Sequence, residues 1–85
     1  MRIDAFMNAT NIVKRRSIAQ DMCENKVVSI NNQIAKSSRL VKVGDVITLQ
    51  FLEYQKQYEV LAIPQTKSIP KSKMQDFVKE IPTSK

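Results

Sequence analysis

Near Val27 the spacing of apolar residues changes from a helical period to alternation, and that change dictates the architecture of the domain. Up to residue 25 the spacing is helical. Ile3, Phe6 and Met7 stand at i, i+3 and i+4, and Ile18, Ala19, Met22 and Cys23 form a second stripe. Beyond Val27 the apolar residues alternate with polar ones, the mark of strands with one face on a core. Helices first and strands after, with no helix–strand repeat, make an α+β domain. The 85 residues hold one such domain. A chain this short buries only roughly 60–65% of the surface that its unfolded form exposes, so its core is single and small.

Local signals place the elements. Asp4 is positioned to cap the first helix, Thr10-Asn11 interrupts it, and Lys14-Arg15-Arg16 reads as a basic loop before a second helix capped by Ser17. Val28 to Ile30 and Gln33 to Ala35 flank Asn31-Asn32, residues that accept the left-handed backbone of a tight hairpin turn. Val43-Gly44-Asp45 is a second turn and carries the chain's one glycine. Val46 to Leu52 and Tyr58 to Ile63 read as longer strands joined by Glu53 to Gln57, and Pro64 closes the sheet. The domain is therefore expected over residues 1–63, with a basic tail over 64–85. In the tail, Ser72 and Gln75 make a capping-box pattern ahead of Met74, Phe77, Val78 and Ile81. That spacing predicts a short amphipathic helix over 73–81, bounded by Pro82 and docked on the chain's own sheet or on a partner.

Composition removes most catalytic chemistry. There is no histidine, and one cysteine cannot close an internal disulfide, so neither a Cys/His zinc site nor a Ser-His-Asp triad can be assembled. Cys23, beside Met22 on a helical stripe, reads as a small buried apolar residue. No metal, cofactor or enzymatic activity is expected. The first residues lack the continuous apolar segment of an export signal, and no stretch is long enough to span a bilayer. With an unpaired cysteine, this places the expectation in the cytoplasm, away from membranes.

The charge has direction. Residues 1–45 carry eight basic and four acidic side chains, residues 46–63 one and two, and residues 64–85 five and two, for a net +6. The positive charge is thus concentrated on the helical front and the tail, which suits a polyanion. The tightest cluster, Lys14-Arg15-Arg16-Ser17, lies at the mouth of the second helix. Helix-terminal amides and arginine forks both favour phosphate there. No aromatic row offers a stacking platform, so binding would rest on phosphate contacts and shape, as for structured RNA.

The ordered set Arg2-Ile3-Asp4, Phe6, Arg15-Arg16-Ser17, Ala19, Val28, Ile30-Asn31, Ala35-Lys36, Val43-Gly44-Asp45 and Ile47 resembles the S-four RNA-binding domain, also called the αL motif. The whole-chain layout resembles the small stand-alone bacterial members of the heat-shock-protein-fifteen and ribosome-quality-control type. The resemblance implies two short helices packed on a small antiparallel sheet, with structured RNA received by the helices and the first hairpin. In stand-alone members that RNA is rRNA of the large ribosomal subunit, typically with peptidyl-tRNA on a stalled nascent chain. Such a protein is expected to be monomeric off the ribosome. Carried onto this sequence, the contacts fall on Arg2, Lys14, Arg15, Arg16, Ser17, Gln20 and Lys36, while Asp4 caps or pairs; Lys26 and Arg39, as further cations, complete the expected RNA-binding set. Lys26 and Asn32 stand where the family usually has glycine, and Val27 where it commonly has a basic residue. Either Asn25 takes the left-handed cap, or Lys26 takes it at a cost of about 1 kcal/mol.

Two other functions fit a basic module of this size: docking on an acidic protein partner with the 74–81 stripe as anchor, and a role in ribosome assembly. Salt dependence and competition by rRNA or tRNA separate RNA from protein. The state of the bound subunit separates rescue from assembly.

Overall fold

The computed structural model describes residues 1–82. Two helices, α1 (Ile3–Ala9) and α2 (Arg16–Glu24), precede strands β1 (Val28–Ile30), β2 (Gln33–Ile34), β3 (Val46–Gln50) and β4 (Gln55–Val60). A 3₁₀ helix (Lys71–Asp76) and a last strand, β5 (Val78–Ile81), follow. The strands form one antiparallel sheet in the order β2-β1-β3-β4-β5. The α+β expectation, with two short helices and a small antiparallel sheet, describes this arrangement.

Register follows from the alternation. Val28 faces Leu49, Ile30 faces Ile47, Ile47 faces Tyr58 and Val60 faces Val78, so one side of the sheet is apolar from strand to strand. Against it lie Ile3, Phe6 and Met7 of α1 and Ala19 and Cys23 of α2, all in the same buried cluster. Burial pushes the Cys23 thiol up, and the nearby negative Asp4 adds to that, as befits an apolar packing residue.

Turns are set by residues that tolerate positive φ. Asn31 and Asn32 take φ of 52° and 70°, the hand that a two-residue hairpin requires. Gly44, at φ 94°, makes the turn before β3. Asp45 locks that turn to the hairpin: its carboxylate accepts from the Lys42 amide at 2.9 Å and from Asn31 Nδ2 at 3.1 Å. After α2 it is Lys26, φ 60°, that takes the left-handed conformation, while Asn25 at φ −84° does not.

Several boundaries differ from the sequence reading. Arg2 and Arg15 occupy the N-cap positions, and neither helix has a side-chain cap. Asp4 and Ser17 are instead the second residue of each helix, two positions past the cap, and Arg16 belongs to α2 rather than to the preceding loop. The hairpin of β3 and β4 is tighter than expected, because Gln55 to Gln57 pair into the ladder despite their polarity. The larger correction is in the tail. No α-helix forms over 73–81, and the sheet does not end at Pro64, because Val78–Ile81 pairs along β4. An isolated helix of nine residues is marginal in water. A strand on the open edge of β4 instead gains a hydrogen-bond ladder and buries Val78. Docking of the tail on the chain's own sheet therefore occurs, but edge to edge. The final three residues of the 64–85 tail lie outside the described range.

Candidate nucleic-acid interface

At the centre of the basic front is a buried acid. Asp4 has no solvent exposure. Its Oδ2 accepts from Arg2 Nη2 at 3.2 Å and from Gln20 Nε2 at 3.0 Å, and it lies 3.3 Å from Arg16 Nε. Its Oδ1 accepts from the Ala5 amide at 2.7 Å and from Arg16 Nη2 at 3.4 Å. Burial alone would raise this carboxyl's pKa. The hydrogen bonds from Gln20, Arg16 and the Ala5 amide, with the charge of Arg16, outweigh it and hold Asp4 below the usual carboxylate range.

The two arginines are half outside. Their side chains keep 45% and 47% of their exposure while one edge is engaged by Asp4. An arginine carries five N–H donors, so each has donors left for an outside acceptor. Held rigidly by a buried anion, they lose less freedom on binding than free surface arginines would.

Backbone contacts bring a second basic segment alongside. The Ile3 amide donates to the Arg39 carbonyl at 2.7 Å, the Val41 amide donates to the Met1 carbonyl at 2.9 Å, and Arg2 bridges Leu40. Residues 36–41 thus run antiparallel to the start of the chain, with a turn closed by the Arg39 amide on the Lys36 carbonyl at 2.9 Å. Lys36 and Arg39, both exposed, are the two ends of that turn, and Arg39 is held against Ile3, next to Arg2. On the other flank, Asn8 Nδ2 donates to the Lys14 carbonyl at 3.1 Å, fixing the loop that leads into exposed Lys14, Arg15, Arg16 and Ser17.

Of the sequence-predicted residues, Arg2, Arg16 and Gln20 meet on one carboxylate. Lys36 and Arg39 join them through the backbone, and Lys14, Arg15 and Ser17 through the helix mouth. Lys26 is not brought in. It follows the far end of α2, a nine-residue helix about 13 Å long. Asn8, which holds the Lys14 carbonyl, carries no signal in the sequence that marks it for this role. The sequence also leaves the hub role of Asp4 undrawn, although an acid one residue after Arg2-Ile3 hints at pairing. Among the described residues, no helix is long and apolar enough to cross a membrane.

A family model for the S4 domain matches residues 1–47, which contain both helices, the hairpin and every residue of this hub. A Helicobacter pylori (strain J99) protein named RQC P-site tRNA stabilizing factor is 45% identical over 71 residues, 84% of each chain. A protein of the same name from Halalkalibacterium halodurans is 30% identical over 86 residues, covering 100% of this chain and 98% of its own. Among solved structures, the trimeric structure of Vibrio cholerae heat shock protein 15 superposes with a TM-score of 0.85 at 30% identity. That superposition covers 95% of this chain and 81% of the other.

Proposed function

This chain belongs to the S4 domain family, and from that premise we propose that it is an RNA-binding factor of ribosome quality control, acting on the large ribosomal subunit that still holds peptidyl-tRNA. The relatives named for stabilising P-site tRNA in that process support this reading, since they align over most or all of the chain. Those relatives are named as stabilizing factors, and the site offers hydrogen-bond donors and cations to a ligand.

The observation that carries the proposal is the convergence of Arg2, Arg16 and Gln20 on buried Asp4, with Lys36 and Arg39 alongside. One anion serving several half-exposed cations leaves a net positive, pre-set surface. A phosphate ribbon fits such a surface better than an acidic side chain does, because its charges repeat along one line and accept the planar forks of arginine. On this reading the protein acts in the cytoplasm, where stalled ribosomes are, and is a monomer off the ribosome.

Sedimentation of the tagged protein through a sucrose gradient tests this directly. Co-migration with large subunits that retain tRNA is the expected result. Enrichment on immature precursors would turn the role to assembly, and absence from every ribosomal fraction would reject the proposal.

A further inference from the structure

A second polar wall faces the first, built by residues beyond the span of the S4 match. Residues 64–69 return across the end of α1. Pro64 and Ile69 are buried, the Ile69 amide donates to the Ala9 carbonyl at 3.0 Å, and Asn11 Nδ2 donates to the Ile69 carbonyl at 2.8 Å. Asn11 does this from φ 67°, a conformation that asparagine tolerates better than most residues. Between the two anchors, Thr66 Oγ1 donates to the Ser68 carbonyl at 2.8 Å and tightens the loop.

The loop thereby closes a groove of about 340 Å³ lined by Met1, Ala5, Asn8 and Arg16 of the helical front and by Gln65, Thr66 and Lys67 of the loop. Its lining joins two cationic side chains, two amides and a hydroxyl to the apolar side chains of Met1 and Ala5, and among the described residues it includes no carboxylate. The charge of Lys67 is unanswered by any carboxylate among the described residues, where the ion pairs are those of Asp4. Arg16 links this groove to the Asp4 hub. A groove with no carboxylate in its lining, with Lys67 on one wall and the edge of Arg16 that Asp4 leaves free on the other, is matched to a phosphodiester.

We propose that this groove is a second phosphate-contact site for the bound RNA, with Lys67 of the tail and Arg16 of α2 as its cationic walls. The proposal rests on the RNA-binding reading above and extends it to a segment that otherwise serves only to strap the sheet. The tail loop is anchored before RNA arrives, so Lys67 adds a contact without first ordering a chain.

The test measures binding of the full chain to purified bacterial large ribosomal subunits across a salt series. Lys67→Ala is expected to weaken binding about three- to tenfold and to reduce the slope of log K against log salt by about one unit. Lys67→Glu weakens it further, and circular dichroism and the urea midpoint stay as in the parent. Lys79→Ala, on the exposed face of β5, controls for net charge and is expected to change affinity much less. Equal losses for Lys67→Ala and Lys79→Ala would overturn the groove in favour of a diffuse charge effect. Unchanged binding for both Lys67 variants, alongside a clear loss for Arg15→Ala/Arg16→Ala, would overturn the groove alone. No loss in any variant would overturn the RNA-binding reading itself.

Discussion

Asp4 shows how one residue can matter to binding without touching the ligand. Its carboxylate is out of water and is answered by Arg2, Arg16, Gln20 and a backbone amide. Asp4→Asn removes the anion and leaves an amide facing two guanidinium groups. Urea unfolding is expected to show a loss of about 1–3 kcal/mol, because the arginines can turn to solvent while the buried group cannot. RNA affinity should fall as well, since both arginines lose their anchor. An unchanged affinity would make the hub purely structural. Because the folded-state pKa of Asp4 is lowered, its stabilisation is present above the unfolded value of about 3.9 and is lost as pH falls through the folded one. Urea midpoints taken from pH 6 down to about pH 2 should therefore drop more steeply in the parent than in Asp4→Asn. The sequence made Asp4 legible as a capping or pairing acid. It did not disclose the three-way meeting, because Arg16 and Gln20 arrive from another helix, 12 and 16 residues away.

Among elements, the helix-to-strand order and the Asn31-Asn32 hairpin were legible because each rests on a local rule: apolar period in one case, tolerated backbone in the other. The tail was not. Met74, Phe77, Val78 and Ile81 satisfy a helical spacing, yet the open edge of β4 offers partners that no local pattern reveals. Val78→Ala is expected to cost about 2 kcal/mol in urea unfolding, since Val78 is buried opposite Val60. Ending the chain after residue 64 should lower stability by several times that. It uncovers β4 and removes the Ile69 anchor as well. A stable, soluble truncation would show that β5 is ornamental. Lys26 supplies a test of opposite sign: held at φ 60°, it should be replaced by glycine with a gain of about 1 kcal/mol. A loss on Lys26→Gly would mean that its side chain contributes more to folding than its strain costs.

For the molecule as a whole, the fold converts a segregated charge into a surface. Two stretches far apart in sequence, the helical front and the 65–67 loop, come together at Arg16, while the weakly acidic strands 46–63 contribute the sheet. Net charge already pointed to a polyanion, but only the tertiary contacts bring the turn that carries Lys36 and Arg39 against the start of the chain. The most direct measurement is the salt dependence of binding to large ribosomal subunits. Neutralising roughly four to six phosphates gives a slope of about −3 to −5 in log K against log salt. For Arg15→Ala/Arg16→Ala, with folding verified by circular dichroism, we expect strongly weakened binding and a slope flatter by about two units. Full affinity with the parental slope in that folded double variant would contradict the claim that this helix mouth holds RNA.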